Sequence, residues 1–279
     1  MGRFEWLEFE GSDNNQGSVP QAPAPAALSS ELLSQEFLDK ADSFFFAGLY
    51  AKALREYSRA IEENNGNREA WIRQNVCQIA LHQPEQAIVW AQKFCDIFPG
   101  DPQALSSLAF AKSRIPDYRA ELPELMEEID MQSQGRFTAQ MQFERAACLF
   151  ALGHNDEGQK TIAQLLESQS SRQEQIRWTV RSAAFFFDMG AMEFVRFLLE
   201  SLEKASGITP YGLSLWIKAE WMLGNDDKAR RLLRLLRRRD RQAADIYEIA
   251  DFFESHPCPG GASTVKQYIS QLLSIILNE

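Results

Sequence analysis

The sequence is poor in the residues that most chemistry needs. Three histidines occur in 279 residues, at His82, His154 and His256. Four cysteines, Cys77, Cys95, Cys148 and Cys258, make no C-x-x-C pair. A chain of this length needs no disulfide staples, so free thiols in a reducing compartment are expected. No Gly-rich phosphate loop, G-x-S-x-G elbow or H-E-x-x-H helix is present. Long apolar runs are missing too, and none approaches the roughly 18 residues of a membrane span. Arg3, Glu5, Glu8 and Glu10 interrupt the first ten residues, so no secretory leader is expected. Gly2 invites a myristoylation reading, but Trp6 stands where that signal needs Ser or Thr.

Positive charge is also short. Lys and Arg number 29 against 39 Asp and Glu, a net charge of −10. Bulk attraction to nucleic acid or to an anionic membrane is not expected. The composition fits a soluble, cytoplasmic chain.

The sparse candidates for chemistry have plainer explanations. His154 with Asp156 and Glu157 suggests a metal site on paper, yet polar turn residues account for all three. His256 and Cys258 offer two ligands where a zinc site needs four or so. Cys77 and Cys148 fall at one repeat position, mid-helix, where core packing explains a thiol better than nucleophilic catalysis. No cofactor, no metal and no catalytic residue is expected, and the chain is read as a non-enzyme.

Three zones are visible in what is present. Residues 1–10 form an aromatic and acidic peptide carrying Phe4, Trp6, Leu7 and Phe9 among Glu5, Glu8 and Glu10. Residues 11–30 read as a flexible linker rich in Pro, Ala and Ser, with Pro20, Pro23 and Pro25 favouring extended backbone. Residues 31–279 have the composition of packed helices. The apolar tail peptide is too short to build a core. It reads as a docking motif, for a partner or for this chain's own surface.

Helical periodicity dominates the third zone. Phe37, Ala41 and Phe44 share one face, and Ala53, Leu54, Tyr57, Ala60 and Ile61 make a second stripe after Gly48-Leu49-Tyr50. Two helices across a short glycine turn predict an antiparallel hairpin. The pattern then recurs. From Ser34 as position 1, Gly48 is at 15, Ala53 at 20, Tyr57 at 24 and Ala60 at 27. Restarting at Arg68 puts Trp71 at 4, Ala87 at 20, Phe94 at 27 and Pro99 at 32. Later glycine turns, at Gly153, Gly190 and Gly224, follow at intervals of 37 and 34 residues. A 34-residue beat with these residues resembles the tetratricopeptide repeat family. The resemblance implies an all-α, right-handed superhelical solenoid of about seven helix pairs. Its pattern fails in two places, around residues 102–135 and at the Pro- and Gly-rich stretch 255–262, where irregularity is expected.

The same resemblance implies that the first helix of each pair lines a concave groove. On that basis Leu38 and Phe45 face it from the first repeat, and Ile72, Val76 and Ile79 from the second. Phe110 faces it from the third, Phe143 and Phe150 from the fourth, Val180 and Phe187 from the fifth, and Tyr211 and Trp221 from the sixth. Leu38 and Asp42 occupy positions where some family members carry Lys and Asn for acidic chain termini, so that clamp is absent. The expected partner is another protein, offering an apolar or amphipathic segment, with an adaptor or chaperone-like scaffold as the function. The alternative is a structural subunit of a stable assembly. Packing against neighbouring helices accounts for the same residues equally simply.

Two further surfaces invite attention. Arg230, Arg234, Arg237 and Arg241 make a basic stripe at i, i+4, i+7 and i+11. It suits an acidic partner segment or a solvated face with intramolecular carboxylates. Ile269, Leu272, Leu273, Ile276 and Leu277 form an apolar stripe near the end of the chain, a homodimer contact or the last helix of its own hairpin.

Overall fold

A computed structural model describes residues 25–204, 207–256 and 258. Those residues form fourteen α-helices and no strand. The first hairpin pairs α1 (Pro25–Phe46) with α2 (Tyr50–Glu63), and the second pairs α3 (Arg68–Ala80) with α4 (Pro84–Ile97). The third pairs α5 (Pro102–Ser113) with α6 (Leu122–Ser133), the fourth α7 (Ala139–Ala151) with α8 (Asn155–Glu167). The fifth pairs α9 (Arg172–Asp188) with α10 (Met192–Lys204), the sixth α11 (Pro210–Met222) with α12 (Asp226–Arg239). Two short helices, α13 (Ala243–Ile246) and α14 (Ile249–Ser255), follow. Helix α1 opens at Pro25, inside the segment read as linker. Proline suits a first helical turn, where its missing N–H has no intrahelical partner anyway.

One device closes five of the hairpins. In the first, the Gly48 N–H donates to the Phe45 carbonyl at 3.0 Å and the Leu49 N–H to the Phe44 carbonyl at 2.9 Å. This paired 5→2 and 6→1 bonding satisfies the orphan carbonyls of the first helix and needs a left-handed residue. Gly48 supplies it with φ +73°. The same bonds recur around Gly153, Gly190 and Gly224. In the second hairpin His82 takes the position with φ +57°, so the motif survives there at a steric cost.

The third unit breaks the rule, as its sequence suggests. Pro116 and Pro123 replace the tight turn with a 3-10 stretch, Pro116–Glu121, before α6. A small separate core of Ala109, Leu122, Ile129, Met141 and Cys148 then seats α6. In the seventh unit a break falls at residue 248, while most of the stretch 255–262 lies outside the described residues. Glu248 adopts φ +50° and splits the helix into α13 and α14. This lets Tyr247 and Phe253 turn to different neighbours: Phe253 stacks on Trp221 with centroids 4.1 Å apart, while the Tyr247 hydroxyl donates to the Ala47 carbonyl at 2.9 Å. The apolar stripe 269–277 and its dimer reading lie outside the described residues, as does the tail motif Phe4, Trp6, Leu7 and Phe9.

The last contact decides the overall shape. Ala47 lies in the turn of the first hairpin, 200 residues from Tyr247. Tyr50 meets Tyr211 edge to face with centroids 6.1 Å apart, and Tyr211 in turn packs on Tyr247 at 5.6 Å. The superhelix therefore closes on itself, its first turn docking on the sixth and seventh units. Most buried apolar residues merge into one continuous core.

Candidate functional site: an arginine and aromatic basin inside the superhelix

Closure changes what the inner face can be. Of the twelve residues expected to line an open apolar groove, ten are buried: Leu38, Phe45, Ile72, Val76, Ile79, Phe110, Phe143, Phe150, Val180 and Trp221. Phe187 and Tyr211 are half-buried. These side chains pack against one another across a tight turn of the solenoid. Phe110, Phe143 and Phe185 form an aromatic triangle with centroids 5.5–6.4 Å apart. Trp221 donates its indole N–H to the His256 carbonyl at 2.6 Å. Residues that would face solvent in an open superhelix here bury apolar area as part of the core.

What remains open is smaller and more polar. A cavity of about 490 Å³ lies between the end of α1, the start of α3, α7, α9 and the start of α11. Its apolar walls are Phe45, Phe46, Tyr50, Ile176, Trp178, Val180 and Tyr211. Its charged wall is Arg73, Arg177 and Arg181, with Glu69 and Glu174 at the margin. Three expected groove residues, Phe45, Val180 and Tyr211, reach it.

The three arginines are not equivalent. Arg73 is neutralised by ion pairs with Asp42 and with Glu69, the latter at 2.7 Å. Asp42, which stands at a clamp position, also accepts a hydrogen bond from the Tyr57 hydroxyl at 2.8 Å. Arg177 is exposed, lies over the Phe46 ring at 4.1 Å, and makes no ion pair with any described residue. Arg181 is the unusual one. Its guanidinium sits among the rings of Phe143, Trp178 and Phe45 at 4.7, 4.8 and 5.5 Å. One terminal nitrogen donates to the Gln140 side-chain oxygen at 2.6 Å. Its Nε and second terminal nitrogen are buried with no partner among the described residues. Burial pushes its pKa down to about 10, which still leaves a cation at neutral pH. Cation–π contacts hold such a group, but they satisfy none of its N–H donors.

Behind Arg181 stands a buried acid. Glu144 is fully buried and accepts from Gln103 at 2.7 Å, Ser106 at 2.6 Å, Ser107 at 3.3 Å and Gln140 at 2.5 Å. Burial pushes its carboxyl up to about 7. Gln140 links the two: its amide donates to Glu144 and its oxygen accepts from Arg181. The bridge fixes the rotamer of Gln140 and so the position of Arg181.

Sequence reasoning missed Arg177 and Arg181. A signal was present. They stand four apart on α9, and no Asp or Glu lies within four residues of Arg181 on either side. A surface arginine normally has such a neighbour, or solvent.

The basic stripe lies elsewhere and does not touch the basin: Arg230, Arg234 and Arg237 stand on α12, but the helix ends at Arg239, so Arg241 falls beyond it and the expected four-residue stripe is cut short. Arg230 grips Asp226 through two bonds of 2.6 Å, and Arg237 is half-buried. Arg234 and Arg241 are exposed. Nearby Lys228 pairs with the buried Glu220 at 2.8 Å and with Glu200 at 3.5 Å. Part of the basic run is therefore internal bonding. Leu232, Leu233 and Leu236 fill the buried side of the helix.

No cluster of three or more metal-ligating side chains occurs among the described residues. No helix among them is long and apolar enough to cross a membrane. Burial pushes the Cys148 thiol up to about 12 and the Cys77 thiol higher still, so neither supplies a thiolate at neutral pH.

The fold and basin define a class: a tetratricopeptide-like helical solenoid, closed through one superhelical turn around a cationic and aromatic cavity. Among solved structures, the chain is similar to the crystal structure of a thermophilic TPR protein from Thermus thermophilus. Identity is 17%, covering 73% of this chain and 98% of that one, with a TM-score of 0.43. No protein-family model and no curated protein matches the sequence.

Proposed function

We propose that this chain is a non-catalytic protein-interaction scaffold, adaptor or chaperone-like in use, whose basin holds a short acidic and aromatic segment of a partner. One observation carries the reading. Arg181 presents buried N–H donors with no partner among the described residues, beside an exposed Arg177 and a wall of aromatic rings. A partner carboxylate satisfies those donors through charge-assisted bonds, the strong kind, and Arg offers the planar fork for it. Aromatic side chains of the partner find Phe46, Trp178 and Tyr211, the residue types that dominate binding energy at interfaces. The cavity takes a few side chains rather than a folded domain. No nucleic acid or membrane is needed, and the net charge opposes both.

A random peptide library panned against the full chain and against Arg177→Glu tests this. Enriched peptides should combine Asp or Glu with Trp or Phe, and should be lost on the variant. A basic or purely aliphatic consensus, or enrichment indifferent to Arg177→Glu, overturns the proposal.

A second reading, a subunit of a stable assembly, rests on one outer patch. Phe197 is 67% exposed and stacks on Phe194 at 6.1 Å, above Leu198 and Leu166. Light scattering of the purified chain and of Phe197→Ser decides it: an oligomer that dissociates on substitution supports the subunit, and a monomer in both cases removes it.

A further inference from the structure

The basin's best chemical match lies in the same polypeptide. Residues 4–10 read Phe-Glu-Trp-Leu-Glu-Phe-Glu, three carboxylates interleaved with four large apolar side chains. The basin pairs two arginines lacking a carboxylate partner among the described residues, Arg177 and Arg181, with aromatic walls. We infer that residues 4–10 occupy this basin at rest, and that a partner binds by displacing them. The inference rests on the basin's proposed role as a receptor for acidic and aromatic segments.

Chain length permits the contact and constrains it. Residues 11–24 separate the motif from the start of α1. The basin opens at the far end of α1, beside Phe45 and Phe46. A helix of this length spans roughly 33 Å. Fourteen linking residues have an r.m.s. span of about 19–22 Å as a flexible coil and reach ~43 Å as an extended polyproline-type chain. Pro20 and Pro23 bias that linker towards extension, so the motif can run back along α1 and reach the cavity. A much shorter linker could not.

The electrostatics favour occupancy in cis. The chain carries a net charge of −10, which repels an acidic segment at a distance. A tethered segment meets that repulsion with an effective concentration in the millimolar range, whereas a free one must overcome it from dilute solution. A competing partner therefore needs either a tighter segment or a local concentration of its own. The tail then acts as a threshold on binding: weak acidic segments are excluded and strong ones admitted.

The test uses the full chain throughout. A fluorescein-labelled synthetic peptide of residues 4–10 is titrated, by anisotropy, against the wild-type chain and against Phe4→Ala/Trp6→Ala/Phe9→Ala. The substituted chain should bind the peptide ~10-fold or more tightly than wild type, as expected when a millimolar tethered competitor is removed. Arg177→Glu, an exposed change that leaves the core untouched, should abolish that binding in the substituted background. Arg181→Met should do the same, with circular dichroism confirming that it folds. Equal affinity for both chains, lost on Arg177→Glu, would mean that the basin takes the segment only in trans; the resting occupancy is then wrong and the scaffold reading stands. No binding to either chain overturns the inference alone, since the peptide library judges the scaffold independently. Binding that survives both arginine changes places the site elsewhere and overturns both.

Discussion

Gly48 lies directly beneath the ring of Tyr211, 163 positions away in sequence. A Cβ added at Gly48 would come within 2.5 Å of Tyr211 Cδ2. The first hairpin turn can approach the sixth unit only because it has no side chain there. Its backbone at φ +73° disfavours any other residue for a second, local reason.

The two reasons are separable. Gly48→Ala should destabilise the chain by about 2–4 kcal/mol, from left-handed strain plus the clash. In a Tyr211→Ala background the same change should cost only the strain, about 1–2 kcal/mol. Denaturant midpoints for the four proteins of this cycle give the coupling. Additive effects would mean that the closure contact is not formed in solution.

His82 holds the equivalent position in the second hairpin with a side chain in left-handed backbone, φ +57°. Replacement by glycine removes that strain. His82→Gly should raise stability by roughly 1 kcal/mol, read as a higher urea midpoint with unchanged slope. A lower midpoint would show that the imidazole makes a contact outweighing the strain.

Glu144 makes stability depend on pH. Its folded pKa is pushed up to about 7 from an ordinary value of 4.5, so the folded chain binds a proton that the unfolded chain has released. The contribution is full below the ordinary value and is lost as pH rises towards 7. The change is of the order of 2–3 kcal/mol. Chemical denaturation at pH 5 and pH 8 should show wild type more stable at the lower pH, relative to Glu144→Gln, whose difference should be flat. Parallel profiles for the two proteins would contradict this account of the carboxyl.

Arg181 is costly to the fold, which suits the binding role proposed for it. Two of its donors are buried without partners among the described residues, a cost that an apolar side chain of similar reach does not carry. Arg181→Met should therefore fold with no loss of thermal midpoint while losing acidic peptides. A loss of stability above ~1 kcal/mol would show that its contacts with Phe143 and Trp178 outweigh the unpaired donors.

The basic run on α12 divides in the same way. Lys228 neutralises Glu220, whose other partners are Trp216 at 2.8 Å and Asn225 at 2.7 Å. Lys228→Ala should cost ~1–3 kcal/mol, because it strands a buried carboxylate while the lysine itself is partly solvated. Arg234→Gln, on the exposed side, should stay within about 0.5 kcal/mol. Thermal melts of both variants side by side separate the structural cation from the solvated one.

The hairpins were legible in the sequence because their determinants are local. Ala53, Tyr57 and Ala60, echoed by Ala87 and Phe94, fix the faces that meet within a pair. Glycine turns at Gly48, Gly153, Gly190 and Gly224 fix where each pair folds back. Pro116 and Pro123 announced the irregular third unit for the same reason. Closure was not legible. It is the sum of small rotations accumulated over six hairpins, and no single repeat carries it. Only the assembled superhelix brings Ala47 to Tyr247 and Gly48 to Tyr211, and that contact converts the apolar inner face into core. Arg181 then becomes what its sequence neighbours hide: a cation enclosed among aromatic rings by the turn of the solenoid, with two buried donors that no described residue satisfies.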